Sequence, residues 1–430
     1  MLKKPETPPM GWNSWDCYGA AVTEEQVRAN ARYMAEHLKE YGWEYVVVDI
    51  QWYESTADGS RMHAFMPLCM DEYGRLIPAE NRFPSARDGK GFGPLAEYVH
   101  SLGLKFGIHI MRGIPRQAVH ADTPVLGSNL GARHAAKYAS ICPWCTDNYG
   151  VDPLSPNGQA YYDSIFRLYA QWGVDYVKVD DIAFNALEGG RMIEDEIIMI
   201  HRAIDRCGRD MILSLSPGPA PIDKADVLCR HATMWRITAD LWDRWEDIVE
   251  DMDRCVQGAP YVGHGSWPDA DMLPLGHLSL VGSEHGVGER MTRLSHDEQI
   301  TMMSLWCLFR SPLMFGGEMR DNDEFTLSLL TNRDVLALLT ESHGARQVLR
   351  NDNFAVWQAE GKGCTYVGIF NLSTIPRPVG VPLYWLGLSG TQQVYDLWEH
   401  RDLGLWEDCW QDELRQHACR LLRLTPVEGA

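Results

Sequence analysis

Residues 175–180 read Asp-Tyr-Val-Lys-Val-Asp, DYVKVD. Valines at alternate positions mark this run as a β-strand. Side chains on a strand alternate faces, so Tyr176, Lys178 and Asp180 share one side and Val177 and Val179 the other. The valines suit contact with packed helices. Lys178 and Asp180 then project together from the opposite side, near the end of the strand. A lysine is rarely buried unless it is paired, and a nearby ammonium favours the ionised form of a carboxylate. Such a pair is either a structural ion pair or the setting of a nucleophile.

The same texture recurs on both sides of this run. Upstream lie an opening segment near Met10–Trp15, EYVVVDI at Glu44–Ile50 and KFGIHI at Lys105–Ile110. Downstream lie Met211–Ser216, Thr233–Asp240, a segment near Trp267–Leu273 and Pro312–Phe315. Amphipathic helical patterns separate them, over Thr23–Leu38, Gly91–Leu102, Gly158–Trp172, Asp195–Cys207, Ala225–His231, Arg244–Val256, Asp297–Phe309 and Glu324–Leu339. Thr23 with Gln26 three residues on spells a helix start. About eight successive β/α units predict an α/β fold, most economically a (β/α)8 TIM barrel. A doubly wound open sheet is the alternative, but no GxGxxG follows a first strand. From about residue 343 the helical period is lost. Short β-prone runs at Phe354–Gln358, Thr365–Asn371, Val379–Pro382, Gln392–Asp396 and Arg420–Leu424 predict a C-terminal antiparallel β-sandwich. The expected domains are therefore a catalytic barrel over 1–342 and a sandwich over 343–430.

Of 430 residues, 45% are hydrophobic and 23% charged, which is ordinary for a soluble globular protein. The formal charge of −20 repels phosphate backbones and anionic lipid, so no nucleic acid and no membrane partner is expected. No stretch approaches the roughly 18 uninterrupted apolar residues of a membrane span. The opening MLKKPETPPMGW carries no apolar signal core, and the eleven cysteines are scattered as buried thiols of a reducing compartment would be. A cytoplasmic location is the expectation. Cys142 and Cys145 form the single CxxC, a weak zinc signal without a second pair, so neither metal nor cofactor is expected. Sixteen Trp and seventeen Tyr residues supply flat faces that suit sugar rings as well as a large core.

In such a barrel, polar residues at the C-terminal strand ends are the active-site candidates. Asp49, His109, Lys178 with Asp180 and Asp181, Ser216, Asp240, and Asp271 beside Met272 occupy those places in order. WRITAD at Trp235–Asp240 offers a second carboxylate with Arg236 nearby. Retaining glycoside hydrolysis needs such a pair: one carboxylate attacks the anomeric carbon, and the other protonates the leaving oxygen and then deprotonates water.

TPPMGWNSW (Thr7–Trp15), YVVVDIQW (Tyr45–Trp52), GLKFGIH (Gly103–His109), YVKVD (Tyr176–Asp180), WRITAD and WPDADML (Trp267–Leu273) together resemble the α-galactosidase and α-N-acetylgalactosaminidase family, glycoside hydrolase family twenty-seven. SLWCLFRSPLMFGG (Ser304–Gly317) and VYDLWEHRDLG (Val394–Gly404) extend the likeness. The resemblance implies a retaining, exo-acting α-glycosidase that removes terminal α-galactosyl or α-N-acetylgalactosaminyl residues through a covalent glycosyl-Asp intermediate, without metal. It places the nucleophile on Asp180 and the acid/base on Asp240. It implies sugar contacts for Lys178 and Arg236, a pocket wall at Trp15, distal hydroxyls on Asp49, and pocket positions for Asp271 and Met272. Trp15 and Met272 equally fit plain core packing.

Four positions depart from the family pattern. Ile50 stands where many members carry a second Asp, and it accepts no hydrogen bond from a 4- or 6-hydroxyl. His109 replaces a Tyr and suits either a structural or a ligand-contacting role. Gln117 and Ile182 occupy the places of a disulfide found in eukaryotic members. Ser216, in SLSPGP at Ser214–Pro219, leaves room for a 2-acetamido group that a Glu would fill. Galactose and N-acetylgalactosamine remain equally open, with a β-L-arabinopyranoside or an α-glucan as further sugars. The rivals are a non-catalytic carbohydrate-binding protein and a metal-dependent hydrolase built on Cys142 and Cys145. The expected partner is a small-molecule or oligosaccharide glycoside, and the sandwich edges leave homo-oligomerisation open.

Overall fold

A computed structural model describes residues 1–59, 61–263, 265–282 and 287–427. Eight parallel strands form its central sheet: β1 (Met10–Asn13), β2 (Tyr45–Val48), β3 (Lys105–Met111), β4 (Tyr176–Asp180), β5 (Ile212–Leu215), β6 (Met234–Arg236), β7 (Trp267–Asp269) and β8 (Leu313–Phe315). Consecutive strands pair from β1 through β7, and β1 also pairs with β8. A parallel bridge from Leu273, just past β7, to Phe315 closes the ring. The chain is thus a (β/α)8 barrel rather than an open doubly wound sheet.

The alternation in DYVKVD is realised. Tyr176 points into the barrel and packs with Tyr45, Val47, Ile212, Met234, Trp267 and Met314. The Tyr45 and Tyr176 rings lie 5.6 Å apart at the centre of this interior layer. Val177 and Val179 face the helices and join the main core with Val46 and Val48. The barrel interior is therefore plugged by aromatic and branched side chains below, and its polar groups sit above the plug.

Helices alternate with the strands as the sequence predicts. They are α1 (Glu24–His37), α2 (Gly93–Ser101), α3 (Pro156–Trp172), α4 (Glu194–Arg206), α5 (Ala225–His231), α6 (Trp245–Gly258) and α7 (His296–Phe309). Thr23 caps α1 in a reciprocal pair with Gln26. The helix expected over Glu324–Leu339 is broken: α8 (Glu324–Thr331) stops at Asn332, whose side chain accepts from the Asp334 and Val335 amides and starts a new turn. The segment between β3 and α3 carries a small antiparallel sheet of Ile114–Pro115, Asn148–Val151 and Ala136–Ile141.

Beyond the barrel, β9 (His343–Arg350), β10 (Phe354–Gly361), β11 (Cys364–Asn371), β12 (Arg377–Pro382), β13 (Gln392–Asp396), β14 (Arg401–Trp406), β15 (Cys409–Leu414) and β16 (Cys419–Pro426) are antiparallel. Six form one sheet in the order β9-β10-β11-β16-β13-β14, and β12 pairs with β15. Val356, Val367, Ile369, Val379, Val381, Val394, Leu422 and Leu424 fill the space between the two layers. The larger sheet's other face covers α7, where the Ser304 hydroxyl accepts from Trp398 Nε1 at 2.7 Å and Thr301 donates to the His417 carbonyl at 2.7 Å. Every residue of α7 from Thr301 to Phe309 is buried, because the helix lies between barrel and sandwich.

Trp306 of α7 connects this packing to the barrel mouth: fully buried, it donates from its indole to the Asp271 carbonyl at 3.0 Å. Trp306→Ala is expected to destabilise the protein by about 3–5 kcal/mol. Urea denaturation checks this, and a loss below 1 kcal/mol would contradict the role given to the helix.

Candidate active site

The strand ends meet in a cavity of about 240 Å³. It is smaller than the roughly 300–1,000 Å³ of most ligand pockets and suits one sugar ring. Its wall includes Trp15, Asp49, Lys178, Asp180, Ser216, Arg236, Asp240, Asp271 and Met272, nine of the positions singled out from the sequence. Several lie past the strands expected to carry them. Asp49, Ser216, Asp240 and Asp271 occupy the turns after β2, β5, β6 and β7, where the chain leaves the ladder and side chains can converge.

One ammonium organises the far side of the cavity. Lys178 Nζ lies 3.0 Å from Asp49 Oδ2, and the same oxygen accepts from Asn13 Nδ2 at 2.7 Å. Asp49 is held further by its main chain, whose amide donates to the Ser14 hydroxyl at 3.0 Å. Burial would depress the Lys178 ammonium, but Asp49 and Asp180 outweigh it and hold the group firmly charged. Burial would likewise raise Asp49; Lys178, His109 and Asn13 bring it below the usual carboxylate range.

Asp180 lies across from β3. His109 Nε2 is 3.1 Å from Asp180 Oδ2, and since a carboxylate only accepts, this nitrogen carries the proton. Burial opposes ionisation of Asp180, yet the His109 hydrogen bond and the Lys178 charge overcome it and hold the carboxyl well below its usual range. Ser216 adds to this, being buried beside Asp180 with its hydroxyl toward the Val179 carbonyl at 3.5 Å. His109 itself is fully buried and does not line the cavity. Expected at the sugar, it is placed behind the carboxylates, 4.0 Å from Asp49 and closer to Asp180.

Arg236 organises the near side. Its Nη1 lies 2.7 Å from Asp271 Oδ1 and its Nη2 lies 2.9 Å from Asp240 Oδ1. Asp271 is clamped by the Met272 amide at 2.7 Å and the Leu241 amide at 2.8 Å. The second bond ties Asp271 to the residue next to Asp240, so the two turns move together. Asp240 stands at the mouth with its side chain 68% exposed. Trp15 and Met272 pack on the barrel-interior layer while facing the cavity, serving both core and wall.

Ile50, together with Asp16, Met62, Trp144, Pro217, Leu241 and Trp242, which were not singled out from the sequence, completes the wall. Asp16 follows Trp15 directly, the one adjacency that could have exposed it. Trp144 lies between Cys142 and Cys145, which are buried unpaired thiols, Cys142 facing Asp181. Asp181 turns away from the cavity to Arg112 at 2.9 Å. Among the described residues, no group of three or more His, Cys, Asp and Glu side chains could hold a metal ion. Nor is any described helix long and apolar enough to cross a membrane.

The family model described as Alpha galactosidase A matches residues 7–124 and 153–341, and that for the Alpha galactosidase C-terminal beta sandwich domain matches residues 351–424. An α-galactosidase of Cyamopsis tetragonoloba is 27% identical over 428 residues, spanning 98% of this chain and 87% of its own. A family twenty-seven β-L-arabinopyranosidase of Geobacillus stearothermophilus superposes with a TM-score of 0.97 at 57% identity, over 99% of this chain and 98% of that one. A Bacillus halodurans protein with the provisional name alpha-N-acetylgalactosaminidase gives a TM-score of 0.89 at 52% identity, over 99% and 100%. With a barrel whose mouth gathers two carboxylates, a lysine and an arginine, and with both family models matched, the chain belongs to the α-galactosidase family, glycoside hydrolase family twenty-seven, and is a glycosidase.

Proposed function

We propose that this glycosidase removes terminal β-L-arabinopyranosyl residues with retention of configuration. That sugar has the ring of α-D-galactopyranose without the hydroxymethyl arm. The observation that carries the reading is Ile50. It follows Asp49 in the cavity wall, 2% exposed, and presents only carbon and hydrogen from its side chain. A hydroxymethyl group directed there would lose its water partners and gain none, whereas a ring lacking the arm leaves nothing unpaired. The likeness to the Geobacillus β-L-arabinopyranosidase, another of whose structures holds arabinose, supports the same assignment.

The chemistry follows from the two carboxylates. Asp180, kept ionised by His109 and Lys178, attacks the anomeric carbon while Asp240 gives its proton to the leaving oxygen. The product of this step is a glycosyl ester on Asp180. Asp240 then takes a proton from water, which attacks the same carbon and releases the sugar with its configuration restored. Arg236 positions the acid/base, and Arg236 and Asp49 with Lys178 bind ring hydroxyls. Ser216 favours N-acetylgalactosamine by its size, but its hydroxyl is directed to Val179 and Asp180, which weighs against a dedicated 2-acetamido site. We take 342/343 as the division between the barrel, which carries all these groups, and the sandwich. The unpaired thiols support a reducing, cytoplasmic setting.

Assay against 4-nitrophenyl glycosides tests the reading. The wild type is expected to prefer the β-L-arabinopyranoside over the α-D-galactopyranoside by about tenfold or more in kcat/KM. Ile50→Asp is expected to narrow that ratio by about tenfold, as one hydrogen-bond partner is worth. A wild type that favours the galactoside overturns the sugar assignment. Asp180→Ala is expected to abolish turnover while the far-ultraviolet circular dichroism stays that of the folded wild type. Retained turnover would remove the mechanism.

A further inference from the structure

Asp16 is a buried carboxyl that the reaction above does not use. It belongs to the four-residue helix Trp15–Tyr18 that follows β1. Its backbone is fixed: the Asp16 carbonyl accepts from Ser279 at 2.8 Å, and the neighbouring Cys17 carbonyl accepts from Leu280 at 2.8 Å. The side chain lines the sugar cavity, yet Asp16 is only 5% exposed. Its Oδ2 is buried without a hydrogen-bond partner among the described residues. Behind that oxygen, outside the cavity lining, Gly316 packs so close that a methyl group there would collide with the carboxyl.

Asp251 of α6 also has a buried Oδ2 without a partner among the described residues, but it does not line the cavity; a paired structural carboxylate looks different. Asp243, equally buried, takes Arg290 at 2.7 Å and Arg293 at 3.1 Å. Among the described residues, Asp16 has no such cation in contact. Burial first, then the negative field of Asp271, Asp49 and Asp240, outweighs the attraction of Lys178 and raises its carboxyl far above the usual range. A neutral carboxylic acid carries one O–H donor and a carbonyl acceptor. Leaving Oδ2 without a partner in a low-dielectric site costs stability with no gain in the free protein. The ring that fills the cavity is the partner able to satisfy them.

We propose that Asp16 contacts the substrate directly, its carboxyl exchanging hydrogen bonds with a ring hydroxyl of the sugar held between Asp49 and Asp271. The inference rests on the glycosidase pocket proposed above and adds a recognition residue to it. Asp16 is therefore a specificity element for a polyhydroxylated ring, separate from the pair that performs the displacement.

The amide of asparagine also supplies a donor and an acceptor, and alanine supplies neither. Asp16→Asn is expected to keep KM for 4-nitrophenyl β-L-arabinopyranoside, and the calorimetric Kd for L-arabinose, within about threefold of wild type, and Asp16→Ala to raise both by about tenfold or more. Both variants should hold or raise the thermal midpoint without sugar, since each removes an unpaired buried carboxyl. The proposal is overturned if Asp16→Ala binds L-arabinose as the wild type does, if Asp16→Asn is impaired as much as Asp16→Ala, or if both variants melt far below wild type without sugar. A wild type that cleaves no glycoside in the panel defeats the proposed function instead. The Asp16 contact is then read from binding of L-arabinose and D-galactose alone.

Discussion

A single buried ammonium holds the catalytic mouth together. Lys178 stands above the aromatic plug of the barrel, 3.0 Å from Asp49 and within the field of Asp180. Asp49 is buried and the Asp180 side chain only 15% exposed, and without a cation between them neither would remain ionised at low cost. The lysine in turn could not be charged at that depth without the two acids. The arrangement is mutual, and it is held by the barrel rather than by the side chains. The hydrogen-bond register sets His109 opposite Lys178, which brings β2, β3 and β4 to the same height. His109 then closes the set from behind, donating to the nucleophile candidate from a position no sugar reaches.

The opposite side of the mouth uses a different device. Arg236 spans two carboxylates, one buried and one largely in solvent. Asp271, in a left-handed backbone conformation at φ +84°, accepts from the next amide and from Leu241. The exposed Asp240 is thereby carried on a turn whose geometry is fixed at its base. An acid/base must exchange protons with a leaving group and with water, so access at this carboxyl and burial at the other match their separate tasks.

Much of this was legible in the chain because strand alternation is a short-range rule. Lys178 and Asp180 share a face with Tyr176 by arithmetic alone, and the βα alternation foretold the barrel. What was illegible depends on distance along the chain. WRITAD reads as one strand to its last residue, but the ladder ends at Arg236, since the turn after it is held by Asp271, thirty-one residues past Asp240. The break at Asn332 hides inside a leucine-rich period. Strands β9, β14 and β15 were missed because HGARQVLR, RDLGLW and CWQDEL are polar runs with few β-branched residues. His109 lies near a strand end as a ligand would, two residues before β3 stops, and only the closed ring shows that it stands behind the acids. Asp16 and Trp144 carry no periodic signal, and each becomes visible only where the cavity wall is drawn.

The placement of α7 has a consequence for how the molecule comes apart. From Thr301 onward this helix is buried on every side and has no face of its own to offer water, so neither flanking unit can melt away without stranding it. Heat should therefore take the barrel and the sandwich together, in one calorimetric endotherm. The β-rich appendage, remote from the sugar, then acts as a thermodynamic latch: it makes the persistence of the catalytic centre a property of the whole chain.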